Sequence, residues 1–478
     1  MTLSLSSLFR ESGASFLIGI VLSHLGLSLG VSFILWLFVY ILVFNNQRFS
    51  LIGFKKKILI CFFIFLSFFM GFWRESSFSD KLNKSAIKKT QEIEIEAMIV
   101  AEPVLKDDYQ RIIIPNVVIY TQTIPHFQFG DIIRIKGKIQ PLEDFFSYSS
   151  NIVSGKLSYP KIELISSRKL SFKGLAITFK NKLIQCLQKV IPEPQSGLLS
   201  GIIFGSKQSL TDSLEKDIRK TGLSHFIVTS GLHLSIFVKI LSGLLNVFSF
   251  GNFLNFICSN LFLLSFAFMV GLTPSIIRAA IMAFLLTLSH FSFRVYNSLN
   301  ALLLAGLVMI WLKPFLLFYD LGFQLSFLAT AGILLFYPIW DQSCFWQKSF
   351  FNNQAGQIFK QTILSCFAAS FLVIPWLIFK TQNVSLVAPL VNVLVIPLAP
   401  LVLGGGVLTA ILSLLIHPLG LFLGFWLNIV LVYFIKVITC FASLSWAEIS
   451  LPYILRWLIL PYYFLVFLYC RKKKLIKT

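Results

Sequence analysis

FLNFICSNLFLLSFAFMV, residues 253 to 270, holds no charged side chain and is about as long as a helix must be to cross a hydrocarbon layer of about 30 Å. Comparable apolar runs recur at 315–336 and 421–441. Over the whole chain 56% of residues are hydrophobic and 13% charged, against about 25% charged in ordinary soluble domains. A soluble enzyme is excluded, and the pattern predicts a polytopic α-helical membrane protein of about twelve transmembrane helices.

The 41 Lys and Arg against 20 Asp and Glu give a formal charge of +21. That charge fits an anionic partner, but it also fits the collection of cations in cytoplasmic loops. Seven Cys contain no CxxC pair, so neither a metal cage nor a disulfide framework is expected. The apolar stretch 14–44 exceeds a signal-peptide core and is read as mature structure.

Working outward, 1–73 reads as N-terminal membrane helices, with a break near Gly30, a basic loop at Arg48 and Lys55 to Lys57, and a third helix over 58–73. Between 74 and 173 the apolar period falls from helical to two. Glu92, Glu94 and Glu96 alternate with Ile93, Ile95 and Ala97, and further strands are expected over 111–120, 131–139 and 155–165. The size suits an inserted OB-like β-barrel. Residues 174–222 read as amphipathic interfacial helices with Lys180, Lys182 and Lys189 on the wet side. Nine apolar segments fill 223–470, and 471–478 is a basic tail. Three crossings and then nine place the β domain outside and the tail in the cytoplasm.

Four constellations stand out. In 222–235, His225, Thr229 and His233 follow at four-residue intervals along one helix face, beside Ser230 and Gly231. Two imidazoles about 12 Å apart along a helix cannot share one metal ion. In 271–282, Thr273 is placed to cap a helix opened by Pro274, with Ser275 and Arg278 on one face. In 320–327, Asp320 and Gln324 share a face, followed by Ser326. In 383–406, Asn392 lies among Pro389, Pro397, Pro400 and three consecutive Gly, the pattern of an interrupted helix. Intramembrane polar groups of this kind line a wet path, or else serve as packing contacts, ion pairs or snorkelling ends.

TGLSHFIVTSGLHLSIF (221–237), GLTPSIIRAAIMA (271–283) and YDLGFQLSFLATAGIL (319–334), in this order, resemble the competence domain of the ComEC family of DNA-uptake proteins. FGDIIRIKGKIQPLEDFFSYSSNIVSGKLSY (129–159) is similar to that family's OB strand and the loop after it. The resemblance implies a channel for single-stranded DNA across the bacterial cytoplasmic membrane in natural transformation. It makes His225, Thr229, Ser230, Gly231, His233, Ser275, Arg278, Asp320, Gln324, Ser326 and Asn392 candidates for the conduit wall. Arg278 is the first choice for a phosphate, since guanidinium matches phosphate bidentately. Arg111, Phe129, Arg134, Lys136 and Lys138 are candidates for DNA contact on the OB-like domain, although nearby acids balance their charge and a docking role is an equal alternative.

Longer family members carry a metallo-β-lactamase-like nuclease domain. The six His of this sequence include no His-x-His pair, so no such metal site, no catalytic residue and no cofactor is expected here. The partners implied are single-stranded DNA, the lipid bilayer, an external DNA receptor, a separate nuclease and a cytoplasmic DNA-translocating ATPase. A small-molecule or ion transporter is the alternative, since it uses the same broken helices and buried charges. An integral-membrane enzyme employing His225, Ser230 and His233 is a weaker one.

Overall fold

The computed structural model describes residues 5–44, 54–85, 87, 90–105, 109–148, 151–167, 172–206, 210–227, 231–247, 251–342, 353–381, 383–450 and 459–472. Three helices open it: α1 (Leu5–His24), α2 (Leu29–Phe44) and α3 (Phe54–Ser85). The break between α1 and α2 falls at Gly26, at φ 71°, one turn before the expected Gly30. α3 outruns its apolar stretch by twelve residues, because Arg74 and Glu75 find partners beyond it. Glycine sets how α1 and α3 meet. A Cβ on Gly19 would stand 2.2 Å from the Phe68 carbonyl oxygen, and one on Gly71 2.1 Å from that of Phe16. Only hydrogen in place of a side chain lets two helix backbones approach so closely.

The polar insert is a small sheet of β1 (Gln91–Met98), β2 (Val104–Leu105), β3 (Gln110–Ile114), β4 (Asn116–Thr121), β5 (Asp131–Tyr148), β6 (Asn151–Ser158) and β7 (Lys161–Ser167). Its order is β1-β5-β6-β4-β3-β2, with β7 also on β5 and β4 parallel to β6. The single strand expected over 111–120 is a hairpin, turned at Pro115 and at Asn116 with φ 65°. The strand expected over 155–165 is divided at Tyr159, φ 49°, and Pro160. Alternate residues such as Ile112, Ile119, Ile133, Ile135 and Leu157 turn inward to make its core, as a period of two requires.

The membrane part comprises α4 (Phe172–Val190), α5 (Gln195–Phe204), α6 (Asp212–Lys220), α7 (Ser224–Ile227), α8 (Gly231–Val247), α9 (Asn252–Val270), α10 (Pro274–Phe291), α11 (Ser298–Leu312), α12 (Leu316–Tyr319), α13 (Leu321–Asp341), α14 (Gln354–Thr381), α15 (Ala388–Val395), α16 (Ala399–Leu415), α17 (His417–Ala442) and α18 (Ile459–Lys472). Among the described residues six helices are long and apolar enough to cross a membrane: 253–270, 274–291, 321–341, 356–381, 388–415 and 417–442. With these spans the chain is a multi-pass membrane protein. The interruption expected over 383–406 is a 3-10 turn at Ile396–Leu398 between α15 and α16. A two-stranded sheet of β8 (Asn383–Ser385) and β9 (Glu448–Ser450) ties the start of α15 to the end of α17.

The bundle has a sheet end and a far end. At the sheet end β5 touches α12, and Arg74 donates to the carbonyls of Trp311 (2.8 Å) and Leu312 (3.0 Å), the last turn of α11. A cation there meets the negative pole of the helix. At the far end Arg10 Nε donates to Asn300 Oδ1 at 2.8 Å.

Of the three lysines expected on the wet side of α4, Lys182 and Lys189 are exposed, and Lys180 needs correction. Lys180, expected on its wet side, is 2% exposed and forms an ion pair with Glu102 of the insert. α4 packs along α9 and α16. Near its other end the Cys186 carbonyl accepts from Ser413 Oγ at 3.3 Å, close to the α16–α17 turn. α4 thus buries one face, Lys180 included, against the bundle and leaves the other, with Lys182 and Lys189, exposed.

Candidate functional site

The candidate residues gather where α8, α10 and α13 meet. α10 starts at Thr273, which occupies the capping position but makes no side-chain cap bond, contrary to expectation; Pro274 fills the first turn. One turn on, Arg278 is 7% exposed, and its Nη1 donates to the Ser326 carbonyl at 2.7 Å. Its guanidinium carbon lies 5.9 Å from the centre of the Phe327 ring. A Cβ at Gly231 would come within 2.9 Å of Nη2, so the first residue of α8 must be small for the guanidinium to keep this place. The cation thus holds three helices together through a carbonyl, an aromatic face and a bare glycine backbone.

Asp320 is not its partner: no ion pair joins the two among the described residues. Asp320 caps α13, with Oδ1 accepting from the Phe323 amide at 2.8 Å. The cation that senses it is Lys313, whose pKa burial lowers and Asp320 partly restores. Gln324 is held on both sides. Its Nε2 donates to the carbonyls of Leu317 (2.7 Å) and Phe318 (3.0 Å), and its Oε1 accepts from Trp376 Nε1 (2.9 Å). Ser326 contributes the carbonyl that receives both Arg278 and Thr330 Oγ1.

His225 lies on α7 with Nδ1 2.9 Å from the Gly222 carbonyl. His233 is fully buried on the first turn of α8, its ring 5.4 Å from that of Phe226. Thr229 and Ser230 lie outside the described residues. Ser275 is half-buried on α10. Asn392, on α15 and 7% exposed, has an Oδ1 with no hydrogen-bond donor among the described residues. Arg278, Gly231 and Ser326 therefore form one cluster, while Asp320 and Gln324 organise the sheet end of α13.

On the insert, Arg134, Lys136 and Lys138 each face a carboxylate across the β1–β5 register: Glu96 at 2.7 Å, Glu94 at 3.3 Å and Glu92 at 3.6 Å. Phe129 carries the Lys173 ammonium 4.3 Å from its ring centre. Arg111 stands opposite Tyr120 on the β3–β4 hairpin.

Two clusters escaped sequence reasoning. One is the Lys180–Glu102 pair. The other is His24, whose Nδ1 lies 2.9 Å from Glu75 Oε1 and whose ring stacks on Phe318 at 3.6 Å. The signal for the second was an acid directly after an apolar run, at Arg74 and Glu75; nothing local pointed to its partner 51 residues away.

Comparison with known proteins follows this geometry. The family model described as "Competence protein" matches residues 202–475, which hold α8, α10 and α13. An uncharacterized protein of Aquifex aeolicus is 39% identical over 149 residues, 31% of this chain and 35% of that protein. ComE operon protein 3 of Bacillus subtilis is 25% identical over 277 residues, 58% of this chain and 34% of that protein. The chain thus matches about a third of the length of these relatives. No solved structure matches.

Proposed function

Since the chain belongs to the ComEC-type competence-protein family, we propose that it carries single-stranded DNA across the cytoplasmic membrane during DNA uptake. A strand bears roughly one negative charge per nucleotide and cannot enter hydrocarbon, so it needs a wet path with cationic or hydrogen-bonding walls. The observation that carries the reading is Arg278, a guanidinium buried one turn into a spanning helix inside the family-matched region and, among the described residues, fixed without a carboxylate. A retained cation without a neutralising acid favours an anion.

In this reading the insert is an OB-like barrel outside the membrane. Support comes from the bond of the Val100 amide to the Ile113 carbonyl at 3.0 Å, which brings the end of β1 to β3, and from the parallel β4–β6 pair. The chain crosses about twelve times, its shorter apolar helices included, and ends in the cytoplasm. It carries out no bond-breaking reaction; a separate nuclease, an external receptor and a cytoplasmic ATPase supply cleavage, capture and drive.

Reconstitution tests the reading. Vesicles containing the purified protein should admit a fluorescent single strand and protect it from external nuclease. Vesicles that pass ions or small solutes but never the strand would overturn it in favour of the transporter alternative.

A further inference from the structure

The insert presents two charged faces of opposite character. On the β1–β5 face, Arg134, Lys136 and Lys138 are matched rung by rung with glutamates, and Glu163 stands 3.8 Å from Arg134 as a fourth acid. A polyanion approaching this ladder meets these four carboxylates beside four cations, since Lys161 stands opposite Lys136 in the β5–β7 register. The pairs are exposed and individually weak, but they set a carboxylate against each of Arg134, Lys136 and Lys138, and the charges of the face, Lys161 included, balance.

The outer face of the β3–β4–β6 portion differs. In the β3–β4 register Arg111 faces Tyr120, and in the β4–β6 register Val118 faces Lys156 and Tyr120 faces Ser158. These residues therefore share the side opposite the core residues Ile112 and Ile119. The Tyr109 and Tyr120 rings lie 5.5 Å apart, and the Lys156 ammonium lies 5.0 Å from the Tyr120 ring centre. Both tyrosines are half-buried, each keeping part of its surface open. Among the described residues no carboxylate forms an ion pair with Lys156.

We propose that Tyr109, Tyr120 and Lys156 form a base-stacking site for single-stranded nucleic acid, and that the charge-balanced β1–β5 ladder adds little to binding. The inference rests on the conduit reading above and relocates contact away from Arg134, Lys136 and Lys138. Every base has a π-face, so the site is tolerant of sequence and requires only that the bases be unpaired. A tyrosine face already holding an ammonium offers stacking beside a phosphate contact.

The test uses the full chain in neutral-lipid nanodiscs, titrated with a fluorescent oligothymidylate and with a duplex of equal length, read by anisotropy. The single strand should bind more tightly than the duplex. Tyr109→Ala and Tyr120→Ala should each weaken binding by about tenfold, the loss of one stacked base, while Tyr120→Phe stays near wild type. Lys156→Gln should flatten the slope of log K against log salt by about 0.7. Removing a whole rung, Glu94→Gln with Lys136→Gln, should leave affinity unchanged. Tyr109 precedes β3 and takes no part in its register, so its removal reads stacking even if Tyr120→Ala disturbs the sheet. A wild-type chain that binds no single strand sinks the conduit reading together with this one. Wild-type binding that survives both alanine variants, falls with the rung, or is equalled by the duplex overturns the stacking site alone.

Discussion

Arg278 carries its charge into the contact of three helices and meets a carbonyl there instead of a carboxylate. Arg278→Ala should remove the charged hydrogen bond that ties α10 to α13 and destabilise the protein by about 1–3 kcal/mol. Asp320→Asn should not rescue it, because Asp320 is engaged as a helix cap and the two effects should add. Thermal melting of the single and double variants in detergent checks this; a double variant more stable than Arg278→Ala would show that the two charges are paired. The cap makes its own forecast. Asparagine caps about as well as aspartate, so Asp320→Asn should be near neutral for stability and for DNA entry, whereas Asp320→Ala should cost about 1 kcal/mol. Loss of DNA entry in Asp320→Asn with unchanged melting would mean that the charge itself works in the conduit. Sequence could mark Arg278 and Asp320 as unusual, because the cost of polar groups in lipid is local. It could not pair them, because a carbonyl acceptor is invisible among side chains.

At the scale of elements, helix contacts are set by a few glycines, and composition does not say which. Gly19, Gly71 and Gly332 face a neighbouring helix backbone; a Cβ on Gly332 would stand 2.3 Å from the Ala368 carbonyl oxygen. Gly30, which sequence favours as the helix break, sits inside α2 with nothing within 4 Å of where its Cβ would be. Gly71→Ala should therefore force α1 and α3 apart and lower stability by about 1–3 kcal/mol. Gly30→Ala should be neutral, or stabilising by up to about 1 kcal/mol through helix propensity. Melting temperature and membrane abundance distinguish the two, and equal behaviour would refute the backbone contact. The apolar spans, the β texture of the insert and the interrupted helix at 396–398 were legible because each repeats a local period or a proline pattern. The course of α4 was not, since Lys180 looks solvated until Glu102, 78 positions earlier, is brought to it.

For the whole molecule, the contacts at the two ends fix the direction of each element relative to the others. α3 and α11 both finish at the sheet end, where Arg74 holds the last carbonyls of α11. α1 and α11 both begin at the far end, where Arg10 meets Asn300. The turn between α10 and α11 is therefore at the far end, and Val295 in it is 98% exposed. Gln122, in the loop between β4 and β5, is exposed on the insert. On the reading proposed above, these two positions lie on opposite sides of the membrane. In that reading the cations around 48–57 and 471–474 are cytoplasmic, which puts the far end in the cytoplasm. In a cysteine-free background, Gln122→Cys should react with an impermeant maleimide in intact spheroplasts, and Val295→Cys only after lysis. The reverse pattern would keep the fold and invert the orientation. Labelling of both in intact cells would break the end-to-end assignment itself.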